Sequence, residues 1–180
     1  SEPMTVVLSQ KGWIRAGKGH ELDPAALGYR EGDALLDFVR GRSTLNTAVL
    51  DYTGRSYSCL THSLPSARGN GEPLSGRFSP PSGAQFVGLA SAEPSQKFII
   101  ASSYGYGFIT AFENLLANKK AGKQLINADA AANILPPAAV HDVESDWVVA
   151  ISSSGNLLAF PAKELPELDK GKGNKILQIP

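Results

Sequence analysis

The stretch "AVLDYTG" at residues 48–54 decides the fold, because three other segments of the chain repeat its pattern. The copies are "VVLSQKG" (6–12), "IIASSYG" (99–105) and "VAISSSG" (149–155). Each has three mostly apolar residues, then Ser or Asp, then two mostly polar residues and a glycine. A second apolar run follows every glycine, and glycine supplies the positive φ that tight hairpin turns require. The pattern therefore predicts four β-hairpins.

A basic piece that contains glycine follows three of the hairpins, at "SARGNGE" (66–72), "NKKAGKQ" (118–124) and "DKGKGNK" (169–175). In the shorter first copy, "RAGKGHE" (15–21) occupies the corresponding place directly after the second strand. Because the pieces recur in register, we expect them to occupy equivalent positions in the fold. We also predict an apolar strand after each of the last three pieces: "PLSGRF" (73–78), "QLIN" (124–127) and "KILQI" (175–179).

A further strand is predicted in each of the first three units, at "DALLDFV" (33–39), "AQFVGLA" (84–90) and "AAVHDV" (138–143). Four short strands per repeat of about 42–51 residues indicate a bladed, all-β array. Helix is expected only as single turns in "FENLLANKKAG" and "PAKELPEL". Four aromatic side chains are predicted to lie in the blade core: Trp13, Phe98, Phe108 and Trp147.

These units are expected to form a single domain over residues 1–180, with approximate blades at 1–43, 44–94, 95–143 and 144–180. Prolines and glycines, 12 and 18 residues respectively, lie between the apolar runs, as turn-rich β structure requires. The fourth unit has only one predicted strand after its basic piece. We therefore expect it to be incomplete, and we expect the natural protein to continue beyond Pro180.

The charges balance, with 17 basic and 17 acidic residues, so the net charge indicates no particular partner. Their distribution is more informative. The segment 129–146 contains acidic residues and no Lys or Arg, whereas the segment 170–175 contains lysines and no acid. A neutral total is therefore compatible with one basic and one acidic face.

Several kinds of site are not predicted. Cys59 is the only cysteine, so an intrachain disulfide and a cysteine-based zinc cluster are excluded. His20, His62 and His141 lie in different repeats without metal-ligand spacing, and we predict no metal or catalytic site. The "GKGNK" piece lacks the Ser or Thr that ends a nucleotide-binding P-loop. No apolar run approaches the length of about 20 residues that a membrane span needs, so no membrane contact is expected.

Two longer stretches carry a resemblance to a known family, "LPSARGNGEPLSG" (64–76) and "LPELDKGKGNKI" (165–176). With them, nearly the whole chain resembles the C-terminal domain of the A subunit of bacterial DNA topoisomerase IV, which is the paralogue of the gyrase A subunit. The resemblance implies a β-pinwheel, a propeller-like array of four-stranded blades with strands exchanged between neighbours. About four blades are expected, the last of them incomplete.

The same resemblance implies a non-catalytic domain that binds and bends duplex DNA. Such a domain would engage the transported DNA segment and set a preference for positive supercoils and for decatenation in chromosome segregation. The parent enzyme would cleave DNA with an N-terminal breakage–reunion region of the same polypeptide. An ATPase B subunit would complete an A2B2 heterotetramer that needs ATP and Mg, although this domain itself would hold no cofactor. The expected location is the bacterial cytoplasm, in association with the nucleoid.

Basic side chains on the recurring loops are the candidate DNA contacts, because lysine and arginine on such turns reach phosphate oxygens. A repeat array places equivalent loops at intervals around one rim, where they form a track. No recognition helix is visible, so contact with the backbone is expected rather than base readout. The candidates are Lys11, Arg15, Lys18, Arg40, Arg42, Arg55, Arg68, Arg77, Lys119, Lys120, Lys123, Lys170, Lys172 and Lys175.

Two alternatives stay open at the level of sequence. The chain could be the C-terminal, DNA-wrapping domain of a gyrase A subunit, but the basic box Gln-Arg-Arg-Gly-Gly-Lys-Gly of that family has no intact copy here. It could also be a propeller-like protein-interaction module without affinity for DNA. The balanced charge and the acidic segment 129–146 favour this second alternative.

Overall fold

The computed structural model describes residues 1–81, 85–103, 106–127, 133–151, 157–170 and 174–175 of the chain. Gly105, Gly155, Lys172 and the last four residues of "KILQI" lie outside these ranges. The strands are β1 (Pro3–Ser9), β2 (Trp13–Lys18), β3 (Leu35–Arg42), β4 (Asn46–Asp51), β5 (Arg55–Leu60), β6 (Glu72–Pro73), β7 (Phe86–Ala90), β8 (Lys97–Ala101), β9 (Tyr106–Ala111), β10 (Lys123–Gln124), β11 (Ala138–Val140), β12 (Trp147–Ile151), β13 (Leu157–Pro161) and β14 (Asn174–Lys175).

Helical structure in the described residues is limited to short 3-10 turns. They are η1 (Pro24–Ala26), η2 (Thr61–Ser63), η3 (Leu74–Gly76), η4 (Phe112–Leu115) and η5 (Ala162–Glu164). The single turns predicted in "FENLLANKKAG" and "PAKELPEL" are confirmed as η4 and η5. The predicted strand "PLSGRF" is wrong beyond Pro73, because Leu74 begins η3 instead of continuing β6.

The strands form antiparallel sheets in the orders β3–β1–β2–β6, β10–β5–β4–β7 and β11–β8–β9–β14, and β12 pairs with β13. The outer strand of each four-stranded sheet is not supplied by its own hairpin unit. Strands β6, β10 and β14 come from the next unit along the chain and pair with β2, β5 and β9. The all-β prediction of four-stranded blades with exchanged strands is confirmed. The predicted blade boundaries describe repeat units of the sequence and stay a prediction. They do not coincide with the sheets, because each four-stranded sheet extends across one of these boundaries.

The fourth position of the repeat closes the hairpin turn. Ser9 Oγ accepts a hydrogen bond from the Trp13 amide at 3.0 Å. Asp51 Oδ1 accepts one from the Arg55 amide at 3.1 Å, which is the same connection to the residue four positions later. Short polar side chains satisfy turn amides in this way, so the recurring Ser or Asp has a direct structural reason.

The hairpin glycines also receive the donated strands. Gly12 and Gly54 have φ values of +84° and +86°. Their carbonyl oxygens accept hydrogen bonds from the amides of Leu74 (2.8 Å) and Leu125 (2.9 Å), which follow β6 and β10. A Cβ on Gly54 would lie 2.1 Å from the carbonyl oxygen of Ile126. Glycine is thus required both for the turn and for the contact between units.

The glycines of the basic pieces serve the same contact from the other side. Gly71 has φ +86°, and a Cβ there would lie 2.2 Å from the Ile14 carbonyl oxygen on β2. Gly122 has φ +69°, and its Cβ would lie 2.4 Å from the Ser56 carbonyl oxygen on β5. These glycines let each donated strand approach the backbone of the preceding sheet.

The opposite edges of the sheets meet at the centre of the array. Oδ2 of Asp37, on β3, accepts a hydrogen bond of 2.8 Å from the Leu89 amide of β7. A Cβ on Gly88, also on β7, would lie 2.8 Å from Pro136 Cβ, just before β11, and 2.9 Å from Asp37 Oδ2. Strands β3, β7 and β11 are therefore the inner edges. The donated strands β6, β10 and β14 form the outer edges.

Hydrophobic clusters fill the spaces between successive sheets. They include Val6, Leu8, Val49 and Tyr57 between the first and second sheets, Leu50, Phe98 and Phe108 between the second and third, and Ile109, Val148 and Phe160 between the third and fourth. The predicted core positions of Phe98 and Phe108 are confirmed, whereas Trp13 is half-buried.

The core prediction for Trp147 is wrong, because 64% of this residue is exposed. Successive side chains of a strand point to opposite faces. Val148 packs toward the third sheet, so Trp147 and Val149 point away from it. Within the described residues no further sheet packs on that face, and Val149 is 61% exposed as well.

Replacing Gly71 with alanine is expected to lower the free energy of unfolding by about 1–3 kcal/mol, because the positive φ becomes strained. The new Cβ also meets the Ile14 carbonyl oxygen. Gly69→Ala is a matched control in the same loop, since a Cβ there has nothing within 4 Å. Thermal unfolding followed by circular dichroism compares the two variants. Equal stability would contradict the requirement for glycine at position 71.

Burial raises the pKa of Asp37, although the amides of Leu89 and Phe38 oppose that shift. The folded state therefore favours the protonated carboxyl, and the stability contributed by Asp37 is lost as the pH rises through its folded pKa. We expect Asp37→Asn to equal or exceed the wild-type stability at neutral pH and to lose this advantage in acid.

The control is Asp37→Ala, which removes the acceptor for the Leu89 amide and should cost about 1–3 kcal/mol at every pH. Urea unfolding of the three proteins across a pH series measures the difference. A wild type that gains stability over Asp37→Asn as the pH rises would contradict the expected sign.

Candidate nucleic-acid interface

The basic loops lie at the outer edges of the sheets. The loop at residues 68–71 leads into β6, and the loop at 119–122 leads into β10. Asp169 and Lys170 precede β14 in the fourth unit. Because these strands are the outer edges of three successive sheets, the expected arrangement around a rim follows from strand exchange itself.

Neighbouring parts of this rim lie close to one another. The Ser79 amide of the second unit donates to the Lys120 carbonyl oxygen of the third unit at 2.8 Å. Burial, and next the positive charge of Lys170, lower the pKa of Lys123. Lys123 belongs to the third unit and Lys170 to the fourth, so the basic loops of these two units approach each other.

Cationic side chains on this rim differ in whether they interact with acidic groups of the protein. Arg68, Lys119, Lys120 and Lys170 are exposed, and in the described ranges no ion pair involves them. Lys18 is also exposed, and its Nζ lies 3.9 Å from Glu2 Oε2, a surface pair that contributes little. Lys11, exposed at the first hairpin turn, contributes to lowering the pKa of Asp33.

Arg15 is not at the surface. Only 4% of it is exposed, and its guanidinium lies over the Tyr29 ring at 4.9 Å. Nη1 donates to the Gly69 carbonyl oxygen at 2.7 Å, and Nη2 donates to the Gly28 carbonyl oxygen at 2.6 Å. The side chain holds backbone and does not face solvent.

Arg55 and Arg77 also bond to neighbouring parts of the protein. Arg55 donates to the Ala121 carbonyl oxygen from Nε at 2.9 Å and from Nη2 at 2.8 Å. Arg77 pairs with the Glu72 carboxylate and donates from Nη1 to the Ser63 hydroxyl at 2.9 Å. Arg55 and the side chain of Arg77 are only partly exposed. Each therefore secures a segment next to a donated strand.

Arg40 and Arg42 lie on β3, the inner-edge strand, and not with the outer loops. Arg40 Nη1 donates to Thr5 Oγ1 at 2.8 Å, and its guanidinium lies 5.2 Å from the Phe38 ring centre. Arg42 Nη2 donates to the Ser1 carbonyl oxygen at 2.7 Å. The structure thus separates these two candidates from the rim. Lys172 lies outside the described residues, and only the backbone of Lys175 is described.

Arg30 was missed by the sequence analysis, although the structure places it on the outer edge. It is exposed, and its guanidinium stacks 4.1 Å from the Trp13 ring centre. Trp13 pairs with Pro73 of the donated strand β6. Arg30 has no counterpart in the repeat, because it comes from the long connection between β2 and β3. The repeat pattern therefore gave no signal for it.

Other reactive groups in the described residues form no recognisable site. No group of His, Cys, Asp and Glu in the described ranges could hold a metal ion. Burial raises the pKa of the Cys59 thiol, which keeps it protonated and unreactive at neutral pH. Among the described segments, no helix has the length and apolar character needed to span a bilayer.

Comparison with known sequences gives extensive similarity to the A subunit of DNA topoisomerase 4 from several bacteria. The chain is 50% identical over 180 residues to this protein from Pseudomonas aeruginosa and 46% identical to the one from Escherichia coli K12. All of the chain is covered in both comparisons, but only 24% of each relative. The chain thus spans about a quarter of the length of the curated relatives it matches. No family model matches it.

Solved structures give the same relationship in three dimensions. The E. coli ParC C-terminal domain superposes with a TM-score of 0.89 and 45% identity, covering 100% of this chain and 73% of that one. The C-terminal domain of DNA gyrase A gives a TM-score of 0.77 with 17% identity, covering 99% of this chain and 62% of that one. At that identity the second similarity concerns the fold alone.

Proposed function

We propose a function from one premise, that this chain belongs to the family of the C-terminal domain of the DNA topoisomerase IV A subunit. The domain binds and bends duplex DNA and contributes no catalytic group. The observation that carries this proposal is the set of exposed cations on loops that strand exchange places at successive outer edges. A row of such cations can neutralise several phosphates along a duplex.

The proposed contacts are to the DNA backbone. Lysine ammonium groups act as point charges for phosphate oxygens and need no particular base sequence. A duplex that follows a curved rim must bend, and the deformation energy is offset by the additional phosphate contacts that bending allows. The domain would thereby prefer DNA that is already curved or crossed.

In the whole enzyme, we propose that this domain engages the transported DNA segment. It would set the preference for positive supercoils and for linked daughter duplexes, and so serve decatenation in chromosome segregation. An N-terminal breakage–reunion region of the same polypeptide would cleave the strands. A separate B subunit would hydrolyse ATP with Mg in an A2B2 assembly. The proposed location is the bacterial cytoplasm, in association with the nucleoid.

The proposed contact surface follows exposure and position on the rim. Arg15, Arg55 and Arg77 make their recorded bonds to the protein itself, and Arg40 and Arg42 lie on the inner edge. We therefore assign phosphate contact to the remaining candidates and to Arg30. The proposed contacts are Lys11, Lys18, Arg30, Arg68, Lys119, Lys120, Lys123, Lys170, Lys172 and Lys175.

The gyrase alternative is not favoured. The similarity to the gyrase A C-terminal domain is one of fold at 17% identity, whereas the ParC domain shares 45%. No intact copy of the basic box associated with chiral wrapping is present in the sequence. The balanced charge that favoured a protein-interaction module is compatible with DNA binding, because Arg68, Lys119, Lys120 and Lys170 are exposed on the outer rim.

The affinity for duplex DNA should fall steeply with salt. If about six phosphates are neutralised, the logarithm of the binding constant should fall with a slope of roughly −5 against the logarithm of salt concentration. Fluorescence anisotropy of a labelled linear duplex measures this slope. A flat salt response, or no binding at low salt, would reject the DNA proposal and favour the protein-interaction module.

Reversing the charge of Lys119 and Lys120 together should weaken DNA binding strongly while leaving the fold intact, because both side chains are exposed. A single reversal, Lys119→Glu, should cost about 1 kcal/mol or more in binding, since it replaces phosphate attraction by repulsion. Lys163→Glu is the matched control, because it makes the same change of charge on η5, outside the proposed surface. Equal effects of the two single variants would show that only net charge matters.

A further inference from the structure

Two basic loops are each held by an arginine from the sheet that receives them. Arg15, on β2, donates to the carbonyl oxygen of Gly69 at 2.7 Å. Arg55, on β5, donates twice to the carbonyl oxygen of Ala121, at 2.9 and 2.8 Å. Gly69 directly follows the exposed Arg68. Ala121 likewise directly follows an exposed lysine. A comparable connection therefore occurs in two different repeats, although the two arginines come from different positions of their strands.

We propose that Arg15 and Arg55 are positioning residues for DNA binding. They fix the backbone of the loop so that the neighbouring cations stay at the outer rim. The inference rests on the proposed function, because positioning matters to binding only if Arg68, Lys119 and Lys120 contact phosphate.

Neither arginine is placed to contact phosphate itself. Arg15 is 4% exposed and lies against Tyr29, and its two recorded donors both point at carbonyl oxygens within the protein. Arg55 is half-buried, and its Nη2 reaches the carbonyl oxygens of both Ala121 and Gly122. Their effect on DNA must therefore pass through the loops they hold.

The chemistry of guanidinium explains why arginine occupies these places. Its planar fork carries five donors in fixed directions, so one side chain can bond two carbonyl oxygens at once. Arg55 uses this property at 2.8 Å to Ala121 and 3.1 Å to Gly122. A lysine ammonium on a flexible stem keeps the charge but does not reproduce the fork.

Holding the loop before DNA arrives should improve affinity. The loop at residues 68–71 contains two glycines, which have large conformational freedom when they are not restrained. Ordering a flexible segment during binding subtracts from the affinity. Hydrogen bonds from the receiving sheet order the loop during folding. The exposed cations are therefore already in place when the phosphates bind.

The test compares Arg55→Lys and Arg55→Gln with the wild type in the 180-residue chain, alone and combined with Lys119→Gln/Lys120→Gln. We expect both single variants to bind a labelled linear duplex about tenfold more weakly, within the range shown by coupled residues. The salt slope should stay that of the wild type, because no phosphate contact is lost. In the Lys119→Gln/Lys120→Gln background, adding an Arg55 substitution should lower the affinity for the duplex by less than about twofold. The two ammonium groups that Arg55 positions are already absent there.

Two further measurements separate positioning from loss of charge and from unfolding. Lys97→Gln removes one positive charge from a side chain paired with Glu167 at 3.5 Å, and its affinity should stay near that of the wild type. Trypsin cleavage after Lys119 and Lys120 reports the loop directly. It should become faster in both Arg55 variants at temperatures where circular dichroism shows them folded.

Several outcomes would overturn the inference. Wild-type affinity in Arg55→Lys, together with a salt slope smaller by about one in Arg55→Gln, would mean that Arg55 contacts phosphate directly. Unchanged trypsin cleavage in both variants would mean that Arg55 does not hold the loop, whatever the DNA result. If the wild type binds no duplex, the proposed function fails with it. If the wild type binds duplex DNA and neither Arg55 variant changes the affinity, the positioning role is overturned but the proposed function is not.

Discussion

Close backbone contact between a donated strand and the sheet that receives it is the constraint on which the rest of the structure depends. Gly71 and Gly122 lie so near the carbonyl oxygens of β2 and β5 that no side chain fits between them. The hairpin glycines Gly12 and Gly54 complete the contact from the other side by accepting backbone hydrogen bonds. Each sheet is therefore finished by its neighbour, and the basic loop attached to the donated strand is carried to the outer edge.

Arginine and lysine serve different purposes in this arrangement. Every arginine of the chain lies within the first 77 residues, and most of those with described bonds hold backbone or a neighbouring side chain. Lys119 and Lys120 instead carry their charge into solvent. This division follows from the two side chains, because a rigid fork suits fixed carbonyl oxygens and a flexible ammonium suits phosphates along a duplex.

The sequence predicted the hairpins well, because the spacing of apolar residues and glycine depends on local geometry. It also placed the basic pieces at 66–72 and 118–124 in equivalent positions before donated strands. The equivalent position predicted for "RAGKGHE" (15–21) is wrong, because residues 15–18 belong to β2. The sequence could not separate Arg15 from Lys119, since a repeat register does not reveal which cation points inward. Arg30 was missed because it lies in a connection without a repeat. The exposure of Trp147 depends on which neighbouring sheet covers its face, and no pattern within one strand records that.

Strand exchange also affects how the chain can fold as it is synthesised. A sheet that takes its outer strand from the following unit stays three-stranded until that unit has left the ribosome. The open side of β5, for example, is covered only when β10 arrives, more than 60 residues later in the chain. The sheets must therefore be completed in order, from the N-terminal unit to the C-terminal unit. Any boundary chosen between two blades cuts through a sheet, so the blades are not independent modules that could be exchanged one at a time.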